Sequence, residues 1–112
     1  MHPPLSQEQI CARFSSGFHP PGPGVHLGIA LGTLHLLPLN ALRYRPEGSM
    51  SGWFVWGGEL SQDPDFFQSL HVSHLVQYAP VLIPYLALEP GCRVLLAPGQ
   101  EDVWHDPGVL AV

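Results

Sequence analysis

His71 and His74 stand three residues apart, a spacing that puts two imidazoles on one side of a helix. Zinc takes three or four ligands, so Asp65, His105 or Asp106 would have to complete a site. No H-E-x-x-H run and no paired-cysteine motif accompanies the two histidines. Seven histidines occur in 112 residues, and two of them falling three apart needs no metal to explain it. The residues therefore read as hydrogen-bonded histidines at a helix edge, with no cofactor.

Six of the nine carboxylates fall into two groups, Glu59, Asp63 and Asp65, then Glu101, Asp102 and Asp106. Paired carboxylates run general acid–base chemistry when burial lifts one pKa. These lie at turns and caps, where Asp and Glu are ordinarily solvated. If the two groups converge, they form an acidic surface that steers a basic partner. Nucleophilic chemistry has less support. Gly48-Ser49-Met50-Ser51-Gly52 places Met where a nucleophile elbow needs Ser. Gly22, Gly24 and Gly28 miss the dinucleotide-loop spacing by one residue and precede a strand. Cys11 and Cys92 are far apart in sequence and read as reduced, buried thiols. Trp53, Trp56 and Trp104 are core residues or interface anchors, at least one of the first two being core.

The elements that must position these groups are short. Ser6 and Gln9 form a capping box, predicting a helix with Leu5, Ile10 and Phe14 inward and a stop at Gly17. His19 to Gly24 is a Pro/Gly connector. Val25, Leu27, Ile29 and Leu31 alternate with His26, Gly28, Ala30 and Gly32, a strand whose small face admits a helix or a neighbouring chain. Pro38 and Asn40 mark a break, and Leu42 to Arg45 read as a half-exposed strand. Gly52 to Gly57 is aromatic on both faces, as in a covered central strand. Asp63 and Pro64 predict a helix start. Val72, Leu75, Val76 and Ala79 predict one helix face, and Pro80 opens another short helix that Pro84 bends. Arg93 to Ala97 and Glu101 to His105 pair as a hairpin through Pro98-Gly99. The sum is an α+β fold, a small antiparallel or mixed sheet of four to five strands with short helices on it.

Composition narrows the function. Four arginines, no lysine and nine acidic residues leave a formal charge of −5, which argues against a nucleic-acid partner and an anionic membrane surface. With 46% hydrophobic residues, residues 1–112 are expected to fold as a single domain. The N-terminus shows no signal-peptide pattern and the longest apolar stretch is too broken to span a bilayer, so a cytoplasmic protein is expected.

Leu42-Arg43-Tyr44-Arg45-Pro46-Glu47, then Ser51 to Glu59 with its Ser51-Gly52-Trp53, and Asp63-Pro64-Asp65-Phe66-Phe67 form a series. It continues through Leu70-His71-Val72, His74-Leu75, Pro90-Gly91 and Glu101-Asp102-Val103-Trp104. Over residues 42–104 it resembles a bacterial immunity-protein family of polymorphic toxin systems, the family numbered thirty-three. The N-terminal helix and Pro/Gly loop, 1–24, precede that region. The resemblance implies a small α+β antitoxin that binds and blocks one cognate protein toxin, without catalytic residues. The residues expected to face the toxin are Trp56, Glu59, Asp63, Asp65, Glu101 and Asp102. Two rivals stand beside this reading. One is a metal- or ligand-binding enzyme built on His71, His74 and the carboxylates. The other is a homodimer module whose glycine-faced strand supplies the contact; the antitoxin itself would be a monomer or a homodimer.

Overall fold

In a computed structural model, which describes residues 6–22 and 24–111, Ser6 caps the helix as its sequence predicts. Ser6 Oγ accepts the Gln9 N–H at 3.1 Å, and Gln9 Oε1 accepts the Ser6 N–H at 2.8 Å. The helix, α1, runs Gln7–Arg13 with Ile10 and Cys11 buried. Leu5 lies outside the described residues. The end comes before Gly17: Ser15 takes the left-handed conformation (φ 56°), and the Ser16 N–H returns to the Cys11 carbonyl at 2.8 Å.

Six strands follow, one more than the upper sequence expectation: β1 (His26–Ile29), β2 (Leu39–Arg43), β3 (Met50–Gly57), β4 (Gln68–His71), β5 (Cys92–Ala97) and β6 (Gln100–His105). Their order across the sheet is β4-β1-β3-β2-β5-β6. Only β1 and β3 run parallel; every other neighbouring pair is antiparallel, so the fold is α+β with a mixed sheet. The additional strand is β4, an edge segment of Gln, Ser, Leu and His with no apolar alternation to announce it. Asp63 does cap a turn there, its Oδ1 accepting the Asp65 N–H at 2.9 Å, but the chain enters β4 instead of continuing as a helix.

Two further expectations change. Asn40 lies inside β2, not at a break, because its Nδ2 donates to the Pro38 and Gly58 carbonyls at 3.2 and 3.1 Å. β2 is not half-exposed either: flanked by β3 and β5, it buries four of its five residues. The segment after β4 is a 3-10 helix, Val72–Gln77. Its period of three keeps Val72 and Leu75 on the core and turns Val76 out to 57% exposure. The next 3-10 helix, Pro80–Tyr85, follows as the short helix predicted, with Pro84 inside it. These two form the helical layer with α1, and shorter 3-10 turns span Leu31–Thr33 and Pro107–Ala111.

The larger core lies between α1, the two 3-10 helices and one sheet face, where Leu27, Ile29, Ala41, Trp53, Val55 and Val94 interlock with Leu75, Leu82 and Leu88. The other face carries a smaller cluster of Ala30, Leu42, Trp56 and Val109, flanked by Phe54, Phe66 and Phe67. The bare backbone of Gly28 accommodates the Phe54 ring: a Cβ there would stand 2.5 Å from it. The glycine face of β1 thus serves a side chain of the same molecule.

Arg43 is 3% exposed and hydrogen-bonds only to carbonyls. Its Nε donates to Ser51, and one terminal nitrogen to His19, Leu86 and Leu88, at 2.6 to 3.2 Å. Trp53, fully buried, sends its indole N–H to the same Leu86 carbonyl at 2.8 Å, with the guanidinium 5.7 Å from its ring. Cys11 and Cys92 lie in this core as free thiols. Burial pushes both thiols above their ordinary pKa, against the opposing pull of the Ser16 hydroxyl, which keeps them protonated and unreactive.

Replacing Arg43 by Met would strand those carbonyls and is expected to cost about 3–5 kcal/mol. Trp53→Ala, which opens a cavity, is expected to cost about as much. Urea unfolding checks both; a loss below about 1 kcal/mol for Arg43→Met would show that water or backbone adjustment replaces the guanidinium.

Candidate functional site

Strand direction decides which loops share a surface. β1 and β3 finish at the end of the sheet where β2, β4 and β6 begin. Three connections therefore meet there: 30–38, 58–67 and the β5–β6 turn. Glu59, Asp63 and Asp65 lie in the second and are exposed. Glu101 and Asp102 open β6 just past the third. Gly57, Leu39, Leu96 and Glu101 form one row across the sheet, which sets Glu101 roughly 14 Å from Gly57, just before the 58–67 connection, three strand spacings of about 4.8 Å. The groups share one end of the molecule. Asp106 leaves the set: it follows β6 at the opposite end, where it pairs with Arg93 at 3.2 Å.

Within the set the residues differ in freedom. Glu101 is held inside the fold, accepting the Tyr85 hydroxyl and pairing with Arg13 of α1 at 3.0 Å. Asp102 is exposed and accepts from the Gln100 side chain at 2.8 Å. Trp56, expected to face a partner, is only 4% exposed and edges against Phe67, so its ring is filled from within. Trp104 is the exposed tryptophan, at 43%, beside Arg93.

No arginine neutralises the Glu59–Asp65 group. Arg13 is taken by Glu101, Arg43 is buried, Arg45 donates to the Leu110 carbonyl and Arg93 pairs with Asp106. Leu36 (44% exposed), Leu37 (61%) and Leu60 (49%) stand out from the same connections. Sequence reasoning missed them. For Leu36 and Leu37 the signal was an apolar run, Leu34 to Leu39, broken only by His35 and Pro38, in a segment with no helix or strand period; Leu60 carried none.

The two histidines of the sequence analysis fall elsewhere. His71 ends β4 and His74 lies in the following 3-10 helix, with ring centroids 5.5 Å apart. His26 of β1 stacks on His71 at 4.1 Å, a neighbour that only the β1–β4 register supplies. The proposed completing ligands are not there: His105 and Asp106 belong to the far edge of the sheet, and Asp65 precedes the opposite end of β4. Among the described residues, no group of three His, Cys, Asp or Glu side chains is arranged to hold a metal ion. At the histidine end, a groove of about 770 Å³ runs between Tyr44, Arg45, Glu47 and Phe54. Among the described residues, no helix is long and apolar enough to cross a membrane.

The family model of the Imm33-like domain matches residues 6–106, taking in α1 as well as the region from Leu42 to Trp104. A search of the curated proteins and a search of the solved structures found no match.

The Tyr85–Glu101 contact fixes a pH response. Burial first, then the hydrogen bond to Glu101 and its charge, raises the Tyr85 pKa above the usual phenol value. The folded chain therefore keeps a proton that the unfolded chain releases near pH 10. This stabilisation is complete below about pH 10 and is lost as pH rises above it. Tyr85→Phe is expected to cost about 1–2 kcal/mol at pH 7 and to flatten the loss of urea midpoint above pH 10. An alkaline limb as steep as wild type would assign the response to other groups.

Proposed function

Because the chain belongs to the Imm33-like domain family, we propose that it is an immunity protein that binds one cognate protein toxin and blocks it by covering its active site. The observation that carries the docking surface is the convergence of Glu59, Asp63, Asp65 and Asp102 on one end of the sheet without a free arginine among them. Such a surface attracts a basic protein patch and speeds encounter. A stable complex takes about 800 Å² from each partner. That is roughly one eighth of the total surface of 6494 Å².

The action is exclusion of substrate, and it asks no chemistry of this chain. Residues 1–112 act as one unit, in the cytoplasm of the cell that makes the toxin. Trp56 is left out of the proposed contact because it is buried. Glu101 is left out as well, because Tyr85 and Arg13 engage its carboxylate and Arg13 balances its charge.

Co-expression with the toxin encoded beside this chain is expected to restore growth. Glu59→Lys with Asp65→Lys should slow association about tenfold at low salt, with the difference shrinking as salt rises. Absence of rescue by the wild-type chain would overturn the immunity reading. An unchanged association rate in the double variant would remove these carboxylates from the interface.

A further inference from the structure

The connection from β1 to β2 holds its leucines out in a rigid frame. Thr33 Oγ1 donates to the Ala30 carbonyl at 2.8 Å and accepts the Gly57 N–H at 2.9 Å. The Leu36 N–H reaches the Thr33 carbonyl at 2.8 Å, and the Gly58 N–H reaches the Pro38 carbonyl at 2.9 Å. Asn40 ties Pro38 to Gly58 from the side. The loop lies flush on the end of β3, an approach only glycine permits: a Cβ on Gly57 would stand 2.1 Å from the Thr33 oxygen and 2.7 Å from the Leu36 oxygen. Gly58, at φ 68°, turns the chain so that Glu59 and Leu60 leave from beside Leu36, whose side chain a Gly58 Cβ would meet at 3.3 Å.

Leu36 and Leu37 are thus presented to water on a pinned loop and Leu60 leaves the sheet beside them, all about half exposed or more. Covering a leucine side chain is worth about 1.5–3 kcal/mol relative to leaving it exposed. A loop ordered in advance also loses less entropy when a partner arrives. The charge around the leucines selects that partner. A two-fold contact with a second copy would set Glu59, Asp63 and Asp65 against their own like charges. A nucleic acid or an anionic membrane meets the same repulsion.

Resting on the immunity reading, we infer that Leu36, Leu37 and Leu60 form the central anchor of the docking surface, and that the toxin receives them in an apolar crevice rimmed by Lys and Arg. The carboxylates of Glu59, Asp63 and Asp65 are the steering rim around that anchor. The two parts act on different rates: the rim governs association, and the buried anchor governs dissociation.

Surface plasmon resonance of the full chain against the toxin domain encoded beside it separates these parts. Leu36→Ser with Leu37→Ser, checked for an unchanged melting temperature, is expected to raise the dissociation rate about thirtyfold while association changes less than about threefold. Leu60→Ser, outside the pinned loop, is expected to raise it about fivefold and decides the matter if the double variant fails to fold. Val76→Ser with Val81→Ser, equally exposed residues on the helical layer, should leave both rates unchanged. If the wild-type chain binds and the leucine variants dissociate at its rate, the anchor is overturned and the immunity reading stands. If the valine pair alone speeds dissociation, the anchor lies on the helical layer and this assignment is wrong. A wild-type chain that binds no toxin overturns the immunity reading and the anchor with it.

Discussion

A guanidinium surrounded by carbonyls governs this fold. Arg43 sits at the end of β2 and gathers oxygens from the start of β3, from the segment after α1 and from the segment between the second 3-10 helix and β5. Among the described residues it forms no ion pair. Burial lowers its pKa from the usual arginine value, and the carbonyls offset that burial by accepting its protons. Lysine would not serve equally: its ammonium lacks the planar fork that spans separated acceptors. The indole of Trp53 completes the arrangement on Leu86, so one cation and one aromatic residue hold turn-rich segments that no long helix could hold.

The clamp and the proposed docking surface lie at opposite ends of the sheet. The end of the sheet around Arg43 is closed by protein–protein hydrogen bonds. The other end carries the connections 30–38 and 58–67, where the described side chains include three exposed leucines and unneutralised carboxylates. At that same end, Tyr85, Glu101 and Arg13 tie the edge strand β6 to the helical layer. Under the proposed function, rigidity at one end and a preformed surface at the other serve the same purpose.

Local patterns were legible wherever a residue's own chemistry decides the backbone. Ser6 and Gln9 announced α1, the aromatic alternation of β3 announced a central strand, and Pro98-Gly99 announced the β5–β6 hairpin. What failed depends on partners distant in sequence. β4 exists because β1 offers it an edge, and its polar residues carry no period. Arg43 reads as an exposed strand residue until the carbonyls of Leu86 and Leu88 are placed around it. The acidic residues of the site were named from sequence, but their sharing of one end follows from strand direction. Leu36 and Leu37 were invisible because the contacts that pin their loop come from Gly57 and Gly58, distant in sequence.

The claim that one end of the sheet is the docking end is tested most directly by amide hydrogen exchange of the chain, alone and with the toxin domain encoded beside it. The account predicts new protection in residues 31–38 and 58–66, with a smaller gain at 99–102, while 44–50 and 72–85 exchange as in the free chain. Protection confined to the groove beside Tyr44 and Arg45, or to the two 3-10 helices, would contradict it.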